Sequence, residues 1–263
     1  MGTRSCAGTA GAVLLGLALA AAAAAPAPEA PPGMRLVPGG SYTPFYPVKN
    51  ERPTPVAPFF LDEVPVSNAQ FLEFVRREPS WRRGAVSKLF ADEAYLSQWA
   101  GPLELGPDAP ADAPVTFVSW FAADAYCRSE GGRLPSEAEW ELAAAPPLDD
   151  ADAKAETERR ILAFYARPRG PLPRVGSTPA NAYGIRDLHG VIWEWVEDFN
   201  ASFAAADARS DRERALENVC GGGAIGAADS RSYATFMRIA FRSSLQASYA
   251  LHHLGFRCAR SLP

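Results

Sequence analysis

Apolar positions along this chain recur in short bursts, some at strand alternation and some at helical spacing, and Gly and Pro separate them. Met34-Arg-Leu-Val reads as a strand closed by the Gly39-Gly40 turn, and Phe59-Phe-Leu-Asp-Glu-Val-Pro-Val as a second extended run. Phe71, Leu72 and Val75 then share one helical face behind Ser67 or Asn68, which predicts a capped helix through Arg77. Trp81 to Leu105 mixes charged and apolar residues and reads as a partly helical excursion. Pro114-Val-Thr-Phe-Val is a short strand; Ser119 caps a helix from Trp120 to Glu130, which Gly131-Gly132 ends. Ser136-Glu-Ala-Glu139 is a capping box that opens a further helix through Ala145. The acidic stretch from Pro146 to Arg160 reads as a surface loop, and from Val175 onward Gly-punctuated short strands are expected.

The N-terminus has a different pattern. Arg4 is followed by an uninterrupted apolar run from Ala10 to Ala25 and then by Pro26-Ala-Pro-Glu-Ala-Pro-Pro. One early positive charge, a short apolar stretch and small residues at its end describe a secretory signal peptide. The run is short for a membrane span, which takes about 20 apolar residues, and no later segment is a candidate. The expected organisation is a signal peptide over 1–25, a linker over 26–33 and one folded domain over 34–263. A periplasmic or secreted protein, with no integral membrane segment after cleavage, follows from that reading.

Composition narrows the class. The 263 residues are 48% hydrophobic, which supplies one sizeable core. The net charge of −4 offers no basic field, so nucleic acid is not an expected partner. Gly 21 and Pro 24 exceed average usage, and no internal repeat is present, which disfavours long bundles and solenoids.

Six phrases occur in order: Val37-Pro-Gly-Gly-Ser, Phe60-Leu-Asp-Glu-Val-Pro-Val-Ser-Asn, Val118-Ser-Trp-Phe-Ala-Ala-Asp-Ala-Tyr-Cys, Arg133-Leu-Pro-Ser-Glu-Ala-Glu-Trp-Glu, Asp187-Leu-His-Gly-Val-Ile-Trp-Glu-Trp and Leu254-Gly-Phe-Arg-Cys. Together they resemble the formylglycine-generating enzyme, or sulfatase-modifying factor, family from about Met34 to Arg260. The excursion and the stretch from Gly222 to Leu245 look closest to a divergent branch encoded beside copper nitrite reductases. The resemblance implies an α+β, C-type-lectin-like fold that is loop-rich and low in regular secondary structure.

The cysteines carry most of the functional argument. Beyond Cys6 in the leader the chain keeps Cys127, Cys220 and Cys258, an odd number for an exported protein. The resemblance implies a Cys127–Cys258 disulfide, and it puts the family's second bridge at Ala144 and Ile239, both apolar. It also implies that the oxidases hold copper(I) through two cysteines that here fall at about Gly226 and Ala234. Soft thiolates suit copper(I), and neither residue has a thiol. Cys220 precedes Gly221-Gly-Gly and is either a small buried residue or a thiolate ligand, with Met237, His189, His252 or His253 as companions. Adjacent His252 and His253 point apart if they lie on a strand.

Asp187, Gly190, Ile192 and Glu194 offer two carboxylates and two turned-in carbonyls around a glycine bend, a set that suits calcium. The resemblance implies calcium at the same positions; pairing of Asp187 or Glu194 with arginine is the alternative. Trp120, Trp140, Trp193 and Trp195 read as core before they read as a ligand cage. Arg238 and Arg242 are placed to line the cleft, and Arg257 to partner a buried carboxylate such as Glu139 or Glu194. Two functions remain open. One is an exported accessory or maturation factor that binds a peptide or protein in a cleft without the copper-binding cysteine pair, a copper enzyme being one candidate client. The other is a metal-dependent oxidase with altered ligands that include Cys220.

Overall fold

Phe59, Phe60 and Leu61 anchor a central antiparallel sheet in the computed structural model, which describes Gly2 and residues 29–43, 53–146, 150–166, 170–199 and 233–262. Strand β4 (Phe59–Asp62) lies between β1 (Met34–Val37) and the C-terminal β7 (Ala259–Ser261), with Leu36 opposite Phe60 and Leu61 opposite Ala259. Both ends of the domain are thus fixed to one strand. A second antiparallel pair joins β2 (Gly40–Tyr42) to β3 (Thr54–Val56). At Gly39, φ is +79°, and a Cβ would meet the Val56 carbonyl oxygen at 2.5 Å, so the turn between β1 and β2 requires glycine. A short parallel pair, β5 (Trp193–Glu194) with β6 (Leu254–Gly255), completes the strands among the described residues.

Three helices begin where the sequence caps them. Helix α1 (Asn68–Arg77) carries a Ser67/Gln70 capping box, α2 (Trp120–Ser129) is capped by Ser119, and α3 (Glu137–Ala144) by the Ser136/Glu139 box. Phe71 and Phe74 of α1 meet Tyr126 of α2, and Phe71 also meets Trp99 and Phe256. Excluding these rings from water is the main support of the core. The excursion after α1 holds a 3-10 turn (Pro79–Trp81) and then turns, with no α-helix. Buried Asn68 fastens it: its amide donates to the Pro110 and Ala113 carbonyls and its oxygen accepts from Trp99 Nε1.

Three expected elements differ. The stretch expected as a loop from Pro146 to Arg160 contains α4 (Ala151–Ala166), whose N-terminus is capped by the Asp150 carboxylate accepting from Ala153 N–H. The sequence expected as strand around Arg238 and Arg242 is α5 (Tyr233–Ser243). Pro114 to Val118 forms one isolated bridge, Ser67 to Pro114, and no strand.

Candidate functional site

Helix α5 carries Ala234, one of the two positions where the oxidase cysteines are expected; Gly226, the other, and Cys220 lie outside the described residues. What holds α5 is a buried ion network with α3. The Glu141 carboxylate accepts from Arg238 at 2.9 and 2.6 Å and from Arg242 at 3.1 Å, and Arg242 also pairs with Glu137 at 3.3 Å. Both guanidiniums lie over the Trp140 ring, at 5.6 and 5.3 Å from its centre. Arg238 and Arg242 therefore face carboxylates in the interior and do not line an open cleft. Burial alone would raise the Glu141 pKa, but the two positive charges outweigh it and hold the group down at about 2. Glu137 goes the other way: burial raises it, and Arg242 only partly offsets this.

Cys127 of α2 and Cys258 are joined by a disulfide, both sulfurs in the interior. Four cysteines are present in the chain, so this bond leaves Cys220 and Cys6. Ala144 and Ile239, expected where the family has its second bridge, are buried apolar residues.

Two of the expected calcium donors, the Asp187 and Glu194 carboxylates, have N–H partners. Glu194 accepts from Arg257 through both oxygens, each at 2.8 Å, and from Trp140 Nε1 at 2.7 Å. Arg257 is fully buried and also donates to the Asp62 and Arg186 carbonyls. Asp187, held at φ +61°, accepts from the Gly176 and Thr178 N–H groups. Calcium needs six to eight oxygens with free lone pairs, and these two carboxylates spend theirs on N–H donors and point to different partners. In this arrangement the Asp187 and Glu194 carboxylates accept from separate N–H donors, and arginine pairing is what the structure gives Glu194. Glu139 pairs with Arg133 instead of Arg257. Among the described residues no three His, Cys, Asp or Glu side chains converge as a metal set.

Of the four tryptophans, Trp140 and Trp195 are core, and Trp195 Nε1 donates to the Val118 carbonyl. Trp120 and Trp193 are half-buried, and Trp193 stacks on Phe241 of α5 at 5.0 Å between ring centres. Phe164 of α4 meets both Trp193 and His253 edge-on. His252 and His253 sit in the turn before β6 with their rings in contact, Nδ1 to Nδ1 2.9 Å, contrary to the strand geometry expected of them. His189 is elsewhere, its Nε2 3.0 Å from the Ala144 carbonyl and its ring edge-on to Trp140. Desolvation first and the Arg238 charge second push its pKa well below the ordinary value. His189 forms part of the wall of a cavity of about 590 Å³ between α3, α4 and residues 178–189, together with Leu142, Thr157, Arg160, Asn181 and Tyr183. Sequence reading missed this cavity because it treated α4, one of its walls, as a loop.

Residues 20–262 match the family model described as a sulfatase-modifying factor enzyme 1-like domain. A formylglycine-generating enzyme of Thermomonospora curvata is 28% identical over 288 residues, covering 88% of this chain and 94% of that protein. A protein of Bos taurus named inactive C-alpha-formylglycine-generating enzyme 2 is 31% identical over 249 residues, 79% of each. A serine/threonine-protein kinase, pkn1, of Chlamydia caviae is 29% identical over 213 residues, 78% of this chain; the match spans only 33% of the kinase's length.

Proposed function

The chain belongs to the sulfatase-modifying factor enzyme 1-like family, with its α+β, loop-rich fold, and we propose that it works there as an exported binding domain and not as a formylglycine-generating oxidase. Its cleft takes a peptide or protein partner, and a copper enzyme in maturation is the first client to test. One observation carries this reading: the Cys127–Cys258 disulfide uses two of the four cysteines. The oxidase chemistry expected from the resemblance needs two thiolates on copper(I) and bonds a third from substrate. Only Cys220 remains beyond the leader to supply any of them. Ala234 offers a methyl group, and α5, which carries it, is docked through Glu141. A relative named as inactive at 31% identity agrees with a retained scaffold that has lost the oxidase site. The apolar N-terminal run and the disulfide support export.

The test is a sulfatase-type peptide carrying its target cysteine, incubated with the protein and copper(I) in air and followed by mass spectrometry. The expected result is binding, seen as a rise in fluorescence anisotropy of the labelled peptide, with its mass unchanged. Conversion of thiol to aldehyde, a loss of about 18 Da, overturns the proposal. The second reading, a metal-dependent oxidase, draws on the same disulfide, because it leaves Cys220 unbridged by Cys127 or Cys258. Turnover that disappears in Cys220→Ser would establish it.

A further inference from the structure

Sequence reading sets His252 and His253 back to back, yet the turn before β6 brings their rings together, and this contact has no role in the reading above. We propose that the His252–His253 pair binds a first-row transition-metal dication, of the zinc(II) or copper(II) class. The two Nδ1 atoms are 2.9 Å apart and the ring centres 4.2 Å. Two imidazole nitrogens bound at about 2.0–2.1 Å to one such ion are about 2.9–3.4 Å apart for bond angles between a right angle and the tetrahedral value. The observed separation falls in that span.

Aromatic rings pack against both histidines. Phe117 meets His252 edge-on at 5.6 Å, and Phe164 meets His253 at 5.7 Å. Behind Phe164 lie Trp193 and Phe241, so the inner wall is aromatic. For both Nδ1 lone pairs to meet one ion, the proton between them moves to Nε2 of the same ring, and each histidine ligates as the neutral Nε2–H tautomer. Both histidines are half-buried, which leaves the ion a path from solvent.

The turn is also held firmly. The Trp193 N–H donates to the His253 carbonyl at 2.6 Å, and the Phe117 N–H donates to that of Leu251 at 3.0 Å. Phe117 has φ +56° and accepts through its carbonyl from Leu96, itself at φ +48°. Two non-glycine residues kept in this costly region, next to the histidine turn, indicate a backbone over-determined by its contacts. Such a frame lowers the cost of ordering ligands when an ion arrives.

The test uses tag-free protein carrying Cys220→Ser, so that the binding measured owes nothing to that thiol. Zinc(II) is titrated against a chromogenic chelator, and copper(II) is added separately for electron paramagnetic resonance. The expected result is one equivalent of either ion, with nitrogen hyperfine structure in the copper(II) spectrum. His252→Phe and His253→Phe, which keep a planar ring of similar size, should each weaken binding by about tenfold or more while melting stays close to that of the parent. Equal affinity in parent and both variants overturns the proposal. So does a copper(II) spectrum without nitrogen coupling, a measurement on the parent that decides the matter even if the variants fail to fold.

Discussion

At the scale of single residues, one carboxylate separates the calcium reading from the structure. Glu194 was legible as a buried acid beside a glycine bend, and Arg257 as a partner for some buried acid, but sequence does not say which cation claims which anion. The fold decides it: β5 and β6 run side by side, and this brings Glu194 to Arg257, two residues beyond β6. Glu194→Ala should therefore cost about 3–5 kcal/mol, because it leaves a fully buried guanidinium unpaired. Chelator should leave the melting temperature of the parent unchanged, and the loss in Glu194→Ala should be the same with added calcium as without. A calcium-dependent rise in melting temperature that disappears in Glu194→Ala would restore the metal reading. His252 and His253 teach the same lesson, since adjacent side chains diverge on a strand and meet in a turn.

At the scale of elements, the capped helices were readable and the uncapped-looking ones were not. Ser67, Ser119 and Ser136 each precede an apolar face, and all three helices start where those residues place them. Helix α4 was hidden because its signals are charge spacings: Glu156 pairs with Arg160 one turn on, and Asp150 supplies the cap. Helix α5 was hidden because family position was read as strand, although Arg238 and Arg242 are themselves one helical turn apart and converge on Glu141. That convergence sets a pH dependence. The Glu141 pKa is about 2 in the folded protein against an ordinary 4.5, so its contribution to stability is present above about pH 4.5 and is lost as pH falls toward 2. Glu137 opposes part of this, since its raised pKa favours the folded state when protonated. Comparing parent with Glu141→Gln isolates the former: urea unfolding should show a deficit of about 3–5 kcal/mol at pH 7 that shrinks steadily below pH 4.5. A deficit that stays constant down to pH 3 would mean that the ion network does not dock α5 on α3.

For the molecule as a whole, closure at the C-terminus is what makes a loop-rich chain into one domain. The Leu254-Gly-Phe-Arg-Cys segment was legible as a motif, but its mechanical role depends on contacts from distant parts of the chain. Gly255 lets the backbone pass Val115 so closely that a Cβ would be 2.3 Å from its carbonyl oxygen, and Phe256 enters the aromatic core with Phe71 and Tyr126. Arg257 neutralises Glu194, Cys258 bonds Cys127 across a sequence separation of 131 residues, and β7 then pairs with β4. In the chain-entropy account, a bridge over a loop of that length stabilises by about 5 kcal/mol, because it restricts the unfolded chain. Replacing Cys127 and Cys258 together by Ser should lower stability by about that amount in denaturant unfolding, while the β4–β7 pairing keeps the folded ensemble recognisably native by circular dichroism. Because the effect acts through the unfolded state, reductant added to the parent should reproduce it, and reductant added to the double variant should do nothing further. Thiol titration of denatured, unreduced protein spanning residues 26–263 should count one group, Cys220. A count of three would show that the C-terminal segment is held by packing and ion pairing alone, and a peptide map linking Cys220 to either partner would replace this bridge by another.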